Sequence, residues 1–386
     1  MNPGQREFNW VNIAFLTLSP IAAIIGAVLY IYHQGFHWVD LVLFVFMAMS
    51  TGVAITAGYH RYFAHRTYEC RPGIQFLYHL FGAAALQNSV LYWASDHRYH
   101  HRYVDTEDDP YNIMKGIFWA HMGWIFYKTR PDRNFDSIPD LKEDRLVIWQ
   151  NRYYLPIAIT VSFVLPTLIG WAVGRPFGGF LWGGLLRVVL VHHGTFLINS
   201  AAHFIGAQPY SNKDTSRDNW WLAPFTFGEG YHNFHHAFQG DYRNGHAWYH
   251  WDPCKWWVWT ISHVGLTWRL NRTPEWAILQ AKMDMGYLKA RSKIEQLPDD
   301  WRRRLTANMN AIRERFEAAK TQMIQSKNRY GEQFREARAN ALREGRQLQA
   351  RWDQGVQEAR ISLKKAWQEH KRLVKEIRRL PLPTAI

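Results

Sequence analysis

Residues 39–65 read VDLVLFVFMAMSTGVAITAGYHRYFAH. The run Val39–Tyr59 is long and apolar enough to cross the ~30 Å hydrocarbon core of a bilayer. It passes without a break into His60-Arg-Tyr-Phe-Ala-His65. A span that ends in a histidine pair carries imidazoles to one edge of the membrane. The question for the rest of the chain is whether other imidazoles arrive at that same edge.

Three more apolar runs answer it: Val11–Tyr32, Tyr154–Val173 and Phe177–Ile198, the last interrupted by Arg187, His192 and His193. The expected spans are therefore about 11–32, 39–59, 154–173 and 177–198. The connector around Gln34–Trp38 has no Lys or Arg, and the connector between the third and fourth runs has only Arg175. All other connecting sequence carries the basic residues. The positive-inside rule then puts both termini and the 60–150 segment in the cytosol. Two hairpins of two spans return the chain to that side each time. The first run is too long for a signal-peptide core and has no cleavage site of small residues, so it reads as a retained anchor.

Two further histidine motifs lie on the same expected side, His97-Arg-Tyr-His100-His101 and His232-Asn-Phe-His235-His236, with His203 closing Asn199-Ser-Ala-Ala-His203. Nine imidazoles exceed what one tetrahedral zinc uses. They suit two adjacent metals, each keeping an open position, and imidazole serves iron, zinc or copper. On an ideal helix His60 and His65 diverge by about 140°, so they reach two metals, or one if the helix ends between them. In the other motifs the first His shares a face with the third and fourth residues after it. Adjacent histidines diverge by about 100°, so His100 and His101 serve different metals. Asn199, one turn before His203, can hold a metal-bound water. Asp96, Asp105, Glu107, Asp108, Asp109 and Glu229 are candidates to accept the second ring N–H of a ligand, and His192 and His193 are possible supporting groups. His33, His37, His79, His246, His250, His263 and His370 stand alone and read as interfacial or surface groups.

The 386 residues hold 20 Trp, 19 Tyr and 22 Phe, a usage that suits membrane–water boundaries. Cys70 and Cys254 are the only cysteines, so no disulfide framework is implied. The formal charge of +14 is compatible with anionic lipid, an acidic electron donor or a phosphorylated substrate; no nucleic-acid motif accompanies it. The spans carry few charges, which argues against a metal-conducting pathway. Gly73–Trp93 and Trp256–Trp268 read as helices at the membrane interface or inside the cytosolic cap. From about Ser292 the composition turns to Arg, Glu, Lys, Gln and Ala. Apolar residues recur at Leu305, Met309, Ile312, Phe316, Ala319, Met323, Tyr330 and Phe334, an amphipathic seam that Gly331, Gly345 and Gly355 weaken and Pro381 and Pro383 end. The expected division is a membrane domain over 1–285, with its cap in 60–150 and 199–285, and a charged helical tail over 286–386. Self-association, anionic lipid and plain solvation are all open for the tail.

The motifs Gly58-Tyr-His-Arg-Tyr-Phe-Ala-His-Arg66, Asp96-His-Arg-Tyr-His-His101, Trp119-Ala-His-Met-Gly-Trp124, Asn199-Ser-Ala-Ala-His203 and Gly228-Glu-Gly-Tyr-His-Asn-Phe-His-His236 resemble, in this order, the membrane fatty acyl desaturases, specifically the acyl-CoA Δ9 (stearoyl-CoA type) branch. The resemblance runs from about Val11 to Leu270 and leaves out the tail. It implies an all-α integral membrane protein with four transmembrane helices and a cytosolic helical cap holding a di-iron site. The implied ligands are His60, His65, His97, His100, His101, His203, His232, His235 and His236, with Asn199 holding a water. Gln87, Trp93 and Thr195 match the bend of the family's acyl tunnel; Asn12, Asn88, Asp96 and Lys128 match its contacts to the CoA head. Ser95, Thr129 and Phe196 depart from the pattern, standing where Arg, a basic residue (with Arg130 adjacent here) and Trp are expected. The implied activity is insertion of a cis double bond, at Δ9, into a saturated acyl-CoA with O2 and two electrons. The tail has no recognisable haem-binding motif, so a separate donor, cytochrome b5 or a ferredoxin, is implied. An acyl-lipid or acyl-carrier-protein desaturase and a membrane di-iron fatty acid hydroxylase stay open.

Overall fold

A computed structural model describes residues 7–128, 135–339 and 344–380, with backbone alone over 329–339 and 344–352. Among the described residues four helices are long and apolar enough to cross a bilayer: Trp10–Gln34, Trp38–Ala64, Tyr154–Ala172 and Pro176–Phe204. They fall where the apolar runs predict. At ~1.5 Å per residue the second and fourth are roughly 40 Å long and overreach a ~30 Å core. Their overhanging ends carry His60 and His203. Side chains such as Leu18, Ile25, Val28, Val42, Leu155 and Leu168 stand exposed along the spans, as a lipid-facing surface requires.

The spans approach closely where glycine removes the side chain. A Cβ on Gly179 would lie 2.1 Å from the Pro166 carbonyl oxygen, and one on Gly170 would lie 2.4 Å from that of Arg175. Small residues let spans pack backbone to backbone in lipid, where no hydrophobic drive pulls helices together. At this end Arg175, from the connector between spans three and four, donates to the buried Asp40 of span two at 2.8 Å.

The second span changes character along its length. Trp38–Val53 is α-helical and Ala54–Ala64 is a π-helix. Its π segment packs on the Pro72–Ala84 helix: Cβ atoms on Gly58 and Gly82 would collide with the rings of Tyr78 and Tyr59. The Val90–Tyr103 helix, the Arg145–Arg152 helix and the Pro253–Ser262 helix complete the cap with a two-stranded antiparallel ribbon, Glu69–Cys70 against Thr267–Trp268. Ile55, Phe63, Tyr78, Val90, Ile138, Val147, Cys254 and Val258 lie in its core.

Two sequence expectations change here. Gly73–Trp93 is not one helix: it breaks at residues 85–89, where Leu86 (φ 55°) and Asn88 (φ 82°) take left-handed backbone conformations that cannot continue an α-helix. Trp256–Trp268 is helical only as far as Ser262, turns at Gly265 and ends in the ribbon.

By its contacts the chain divides at Arg272/Thr273. The second unit consists of the Glu275–Ile294, Asp299–Ala339 and Glu344–Arg379 helices, so the expected 285/286 boundary falls inside a helix. Leu305, Met309, Ile312, Phe316, Ala319 and Met323 are buried in one core with Met283, Ile294, Ala359, Leu363, Ala366 and Ile377. The seam thus finds its partners within the unit. The side chains of Tyr330 and Phe334, together with Pro381 and Pro383, lie outside the described residues.

Gly179→Ala is expected to cost about 1–3 kcal/mol through forced separation of spans three and four. Gly73→Ala, in a helix with nothing within 4 Å of the added Cβ, is expected to be neutral or to stabilise by about 0.4–1 kcal/mol. Thermal midpoints of the two variants in detergent check the pair.

Candidate metal centre

The nine imidazoles reach the site from three helices and a helix end. His60 lies in the π segment, and the His65 N–H donates to the His60 carbonyl at 3.0 Å, an i→i+5 bond that stacks residues five apart. The wide divergence expected of an α-helix is thereby narrowed, and the two rings lie with centroids 4.9 Å apart. Arg98 locks this end: its Nη2 donates to the Phe63 carbonyl at 2.8 Å, its Nε to the Ala64 carbonyl at 2.8 Å and its Nη1 to Asp140 at 2.7 Å. His97, His100 and His101 share the Val90–Tyr103 helix with it. The His232–Ala237 helix is too short to stand alone. Asn233 pins it through its amide to the Ser211 and Ser216 carbonyls (2.8 and 3.0 Å), and the Phe234 N–H donates to Asp218 at 2.9 Å.

The rings form two groups. His60, His65, His97, His101 and His235 make one; His100, His203, His232 and His236 make the other; within each, the nearest ligand atoms all lie within 4.8 Å of one another. His100 and His101 fall in different groups, as their divergence predicts. The i,i+4 pairs His97/His101 and His232/His236 stay together, whereas His100 and His235 part from the first His of their motifs. His60 and His65, for which one metal or two was open, share a group.

The far sides of the rings decide what the near sides can do. His60 Nδ1 meets Glu229 at 3.1 Å, His100 Nδ1 meets Asp109 at 2.8 Å and His236 Nδ1 meets Asp214 at 3.4 Å. A carboxylate only accepts, so these Nδ1 atoms carry the protons. His203 Nδ1 meets Thr215 Oγ1 at 2.8 Å, and that hydroxyl donates to Asp105 at 2.7 Å, so His203 Nδ1 donates too. In the second group His100, His203 and His236 therefore all turn an Nε2 lone pair inward. His100 Nε2 is buried without a protein partner, and the Nε2 atoms of His203 and His236 lie 3.1 Å from that of His232. Converging lone pairs repel unless a cation lies between them. The donor set thus fits a metal, and an all-nitrogen set suits iron, zinc or copper more than magnesium or calcium.

Charge around the site follows the same logic. Burial, and then mutual repulsion, holds His65, His97, His101, His232, His235 and His236 well below the ordinary histidine value. Burial alone pushes the Glu229 carboxyl up, but His60 and Arg61 outweigh it and hold it below the usual range. Asp109 is likewise pushed up by burial and drawn lower by its bond to His100. Arg61, 1 % exposed, bridges Glu229 (3.0 Å) and Asp252 (3.1 Å).

A cavity of about 420 Å³ abuts this centre. Asn12, Gln87, Asn88, Trp93, Asp96, Thr195 and Asn199 line it beside His60, His97, His100 and His232. The Trp93 ring stacks on His97, with centroids 5.0 Å apart. Gln87 Nε2 donates to Thr195 Oγ1 at 2.8 Å, and Gln87 Oε1 accepts from Trp93 Nε1 at 3.4 Å. Lys128 is exposed and paired with Glu7. Thr129 and Arg130 lie outside the described residues. Ser95 is buried against Ser137, and Phe196 lines the cavity. His192 bonds the Ala85 carbonyl and His193 bonds His121, so neither supports a ring of the two groups through these bonds. His79 and His370, read as surface groups, are buried. Sequence reasoning proposed Asp109, Glu229 and Asp105 but missed Asp214, Thr215 and Arg61. Asp214 and Thr215 sit in a polar loop of ordinary composition, and Arg61 is hidden inside the motif it supports.

A family model for fatty acid desaturases matches residues 36–279. A probable acyl-CoA desaturase of Schizosaccharomyces pombe is 37% identical over 302 residues, 78% of this chain and 60% of that protein. Acyl-CoA desaturase 1 of Saccharomyces cerevisiae is 38% identical over 299 residues, 76% of this chain and 58% of its own length. Stearoyl-CoA desaturase 4 of Mus musculus is 36% identical over 256 residues, 62% of this chain and 69% of that protein. The chain spans about three-fifths of the length of the two yeast relatives.

The depressed imidazoles give a pH signature. Each ordinarily titrates near 6.5 in an unfolded chain, and the native values lie below that. Stability from keeping them neutral is present above about pH 6.5 and is lost as pH falls. The thermal midpoint of chelator-treated protein in detergent is expected to fall steeply between about pH 7 and 5.5, with the metal-loaded protein falling later because the ion holds its ligands deprotonated. A flat profile after chelation would show that the rings do not face one another unprotonated.

Proposed function

The chain belongs to the fatty acid desaturase family, and on that premise we propose that it inserts a cis double bond, at Δ9, into a saturated acyl-CoA using O2 and two electrons. One observation carries this reading: a cavity lined by His60, His97, His100 and His232 abuts two histidine groups, each of which could hold a cation. The nine histidines would hold two irons, and Asn199 at the cavity wall would hold a water. When bound, the irons supply the O2 chemistry that an unactivated methylene C–H demands and that no side chain provides.

The chain's own residues then bind, orient and keep water away. The acyl chain lies in the cavity between Phe15, Leu16, Ile55 and Leu86. The Gln87–Thr195 hydrogen bond and the Trp93 ring shape the bend next to His97. Reaction needs the reacting atoms within about 3–3.5 Å of alignment, so the carbon at this bend is the one that reacts. Asn12, Asn88, Asp96 and Lys128 contact the CoA head. Asp109, Glu229, Asp214 and Thr215 keep the ring protons on Nδ1 and leave each Nε2 free for metal. Electrons arrive from a separate protein, cytochrome b5 or a ferredoxin, drawn to the basic surface. The distribution of Lys and Arg among the connectors supports a cytosolic centre and cytosolic termini. The chemistry lies in the first unit, residues 1–272, and residues 273–386 form a separate helical unit.

Expressed with an electron donor in a desaturase-deficient host, the chain is expected to restore Δ9 monounsaturated fatty acids, read by gas chromatography of total lipid. His100→Ala is expected to abolish them with membrane insertion intact. Hydroxylated chains in place of alkenes would move the assignment to a hydroxylase. Asp109→Asn, which keeps the shape but loses the charge behind His100, is expected to weaken metal affinity by about 10-fold or more, read by metal content after dialysis against a graded chelator.

A further inference from the structure

Arg187 lies inside the fourth span and is fully buried, 0 % exposed. Its hydrogen-bond partners are carbonyls, with no carboxylate among them. Nη1 donates to Ala84 at 2.6 Å, Nη2 to Ser162 at 3.2 Å and Nε to Gly183 at 3.1 Å. The Ser162 hydroxyl donates to the same Ala84 oxygen at 2.7 Å, and His192 Nε2 bonds the Ala85 carbonyl at 2.8 Å. Ala84 and Ala85 end the Pro72–Ala84 helix, where an α-helix leaves its last carbonyls without intrahelical donors. An apolar side chain would fill this space without the desolvation cost of a buried guanidinium. What the guanidinium adds is a fixed position for those carbonyls.

The turn that follows needs such a hold. Leu86 and Asn88 both sit at positive φ; asparagine tolerates this conformation, but leucine adopts it only when surroundings impose it. The far side of the turn is held separately: the Asn88 N–H donates to the Tyr154 hydroxyl at 2.9 Å, and the Val90 N–H to Gln150 at 3.1 Å. Between these two positive-φ residues stands Gln87, whose amide crosses to Thr195 at 2.8 Å. Thr195 is about two turns beyond Arg187 on the same helix. The fourth span therefore grips the turn twice, at its root through Arg187 and at its tip through Thr195.

We infer that Arg187 is a positioning residue that decides which carbons of the acyl chain face the metal centre, by clamping the Ala84–Asn88 turn that carries Gln87 into the cavity. The inference rests on the desaturase reading above. Arg187 does not touch the cavity; it acts through the backbone of residues 84–88. Without the clamp the turn relaxes toward ordinary backbone, Gln87 shifts, and the bend loses its fixed place along the chain.

The test uses Arg187→Met, which keeps an unbranched side chain of similar reach and leaves the Ala84 carbonyl its bond from Ser162. Arg175→Met is the control. It strips the buried Asp40 of its ion pair and loosens the same bundle without touching the turn. Two readouts are taken on full-length holoprotein. The first is double-bond position by mass spectrometry of derivatised products. R187M is expected to raise the share of off-position double bonds by about tenfold or more, since a misplacement near 1 Å changes rates by about 100-fold, while R175M lowers yield at an unchanged position. The second is binding without an electron donor, so that nothing turns over: cis-9-octadecenoyl-CoA against octadecanoyl-CoA. The wild type and R175M are expected to prefer the bent chain, and R187M to lose that preference. A single unshifted position with the bent-chain preference intact in R187M would overturn the inference, as would equal scatter in R175M. If the wild type makes no alkene, the desaturase reading fails, and the binding preference still decides whether Arg187 sets a bend.

Discussion

An imidazole whose Nδ1–H points at a carboxylate has a lone pair on the other side and no choice about where it points. Glu229, Asp109 and Asp214 impose that condition on His60, His100 and His236, and Thr215, backed by Asp105, imposes it on His203. The remaining architecture is what it takes to assemble such rings in one place. Without the ties, buried imidazoles at these separations would pair by sharing protons and leave no cation site. With them, the polypeptide holds a cluster of like-facing acceptors that only a positive charge can reconcile.

The membrane makes this assembly affordable in geometry. Spans two and four exceed the bilayer, and both overhang on the side reached after an even number of crossings, so His60 and His203 emerge together although 143 residues separate them. The cap then has only short distances to bridge. Arg98 joins the end of span two to the helix of His97, His100 and His101, and Asn233 and Asp218 set the last short helix against the loop that supplies Asp214 and Thr215. The cavity runs from this centre along the inner faces of spans one and four.

Much of this was legible in the sequence, for definable reasons. Apolar runs bounded by aromatic residues betray spans because no other element can satisfy its backbone in lipid. The imidazoles are legible because histidine at i, i+3 and i+4 is rare without a metal to justify it. Glu229 and Asp109 could be nominated because they flank the motifs. Asp214, Thr215 and Arg61 could not, since their roles arise from contacts between distant segments. Nor could the break at residues 85–89: Asn88 is a common turn residue, but Leu86 is not, and its left-handed backbone is imposed by neighbours. The pairing of His60 with His65 was undecided because an α-helical wheel does not apply to a π segment.

That segment has a consequence for how such a chain can change. Residues 54–64 carry more residues per turn than the helix before them, so their number is as much a part of the site as their identity. Most helices in a bundle tolerate substitution and accept occasional length changes in their loops. Here the loss of a single codon within the helix would restore ordinary winding, swing His65 away from His60 and turn the span's last residues out of register with Arg98. Sequence drift in this stretch is therefore confined to exchange of one residue for another. Insertions and deletions are shut out of the very part of the span that a hydropathy plot would call unremarkable.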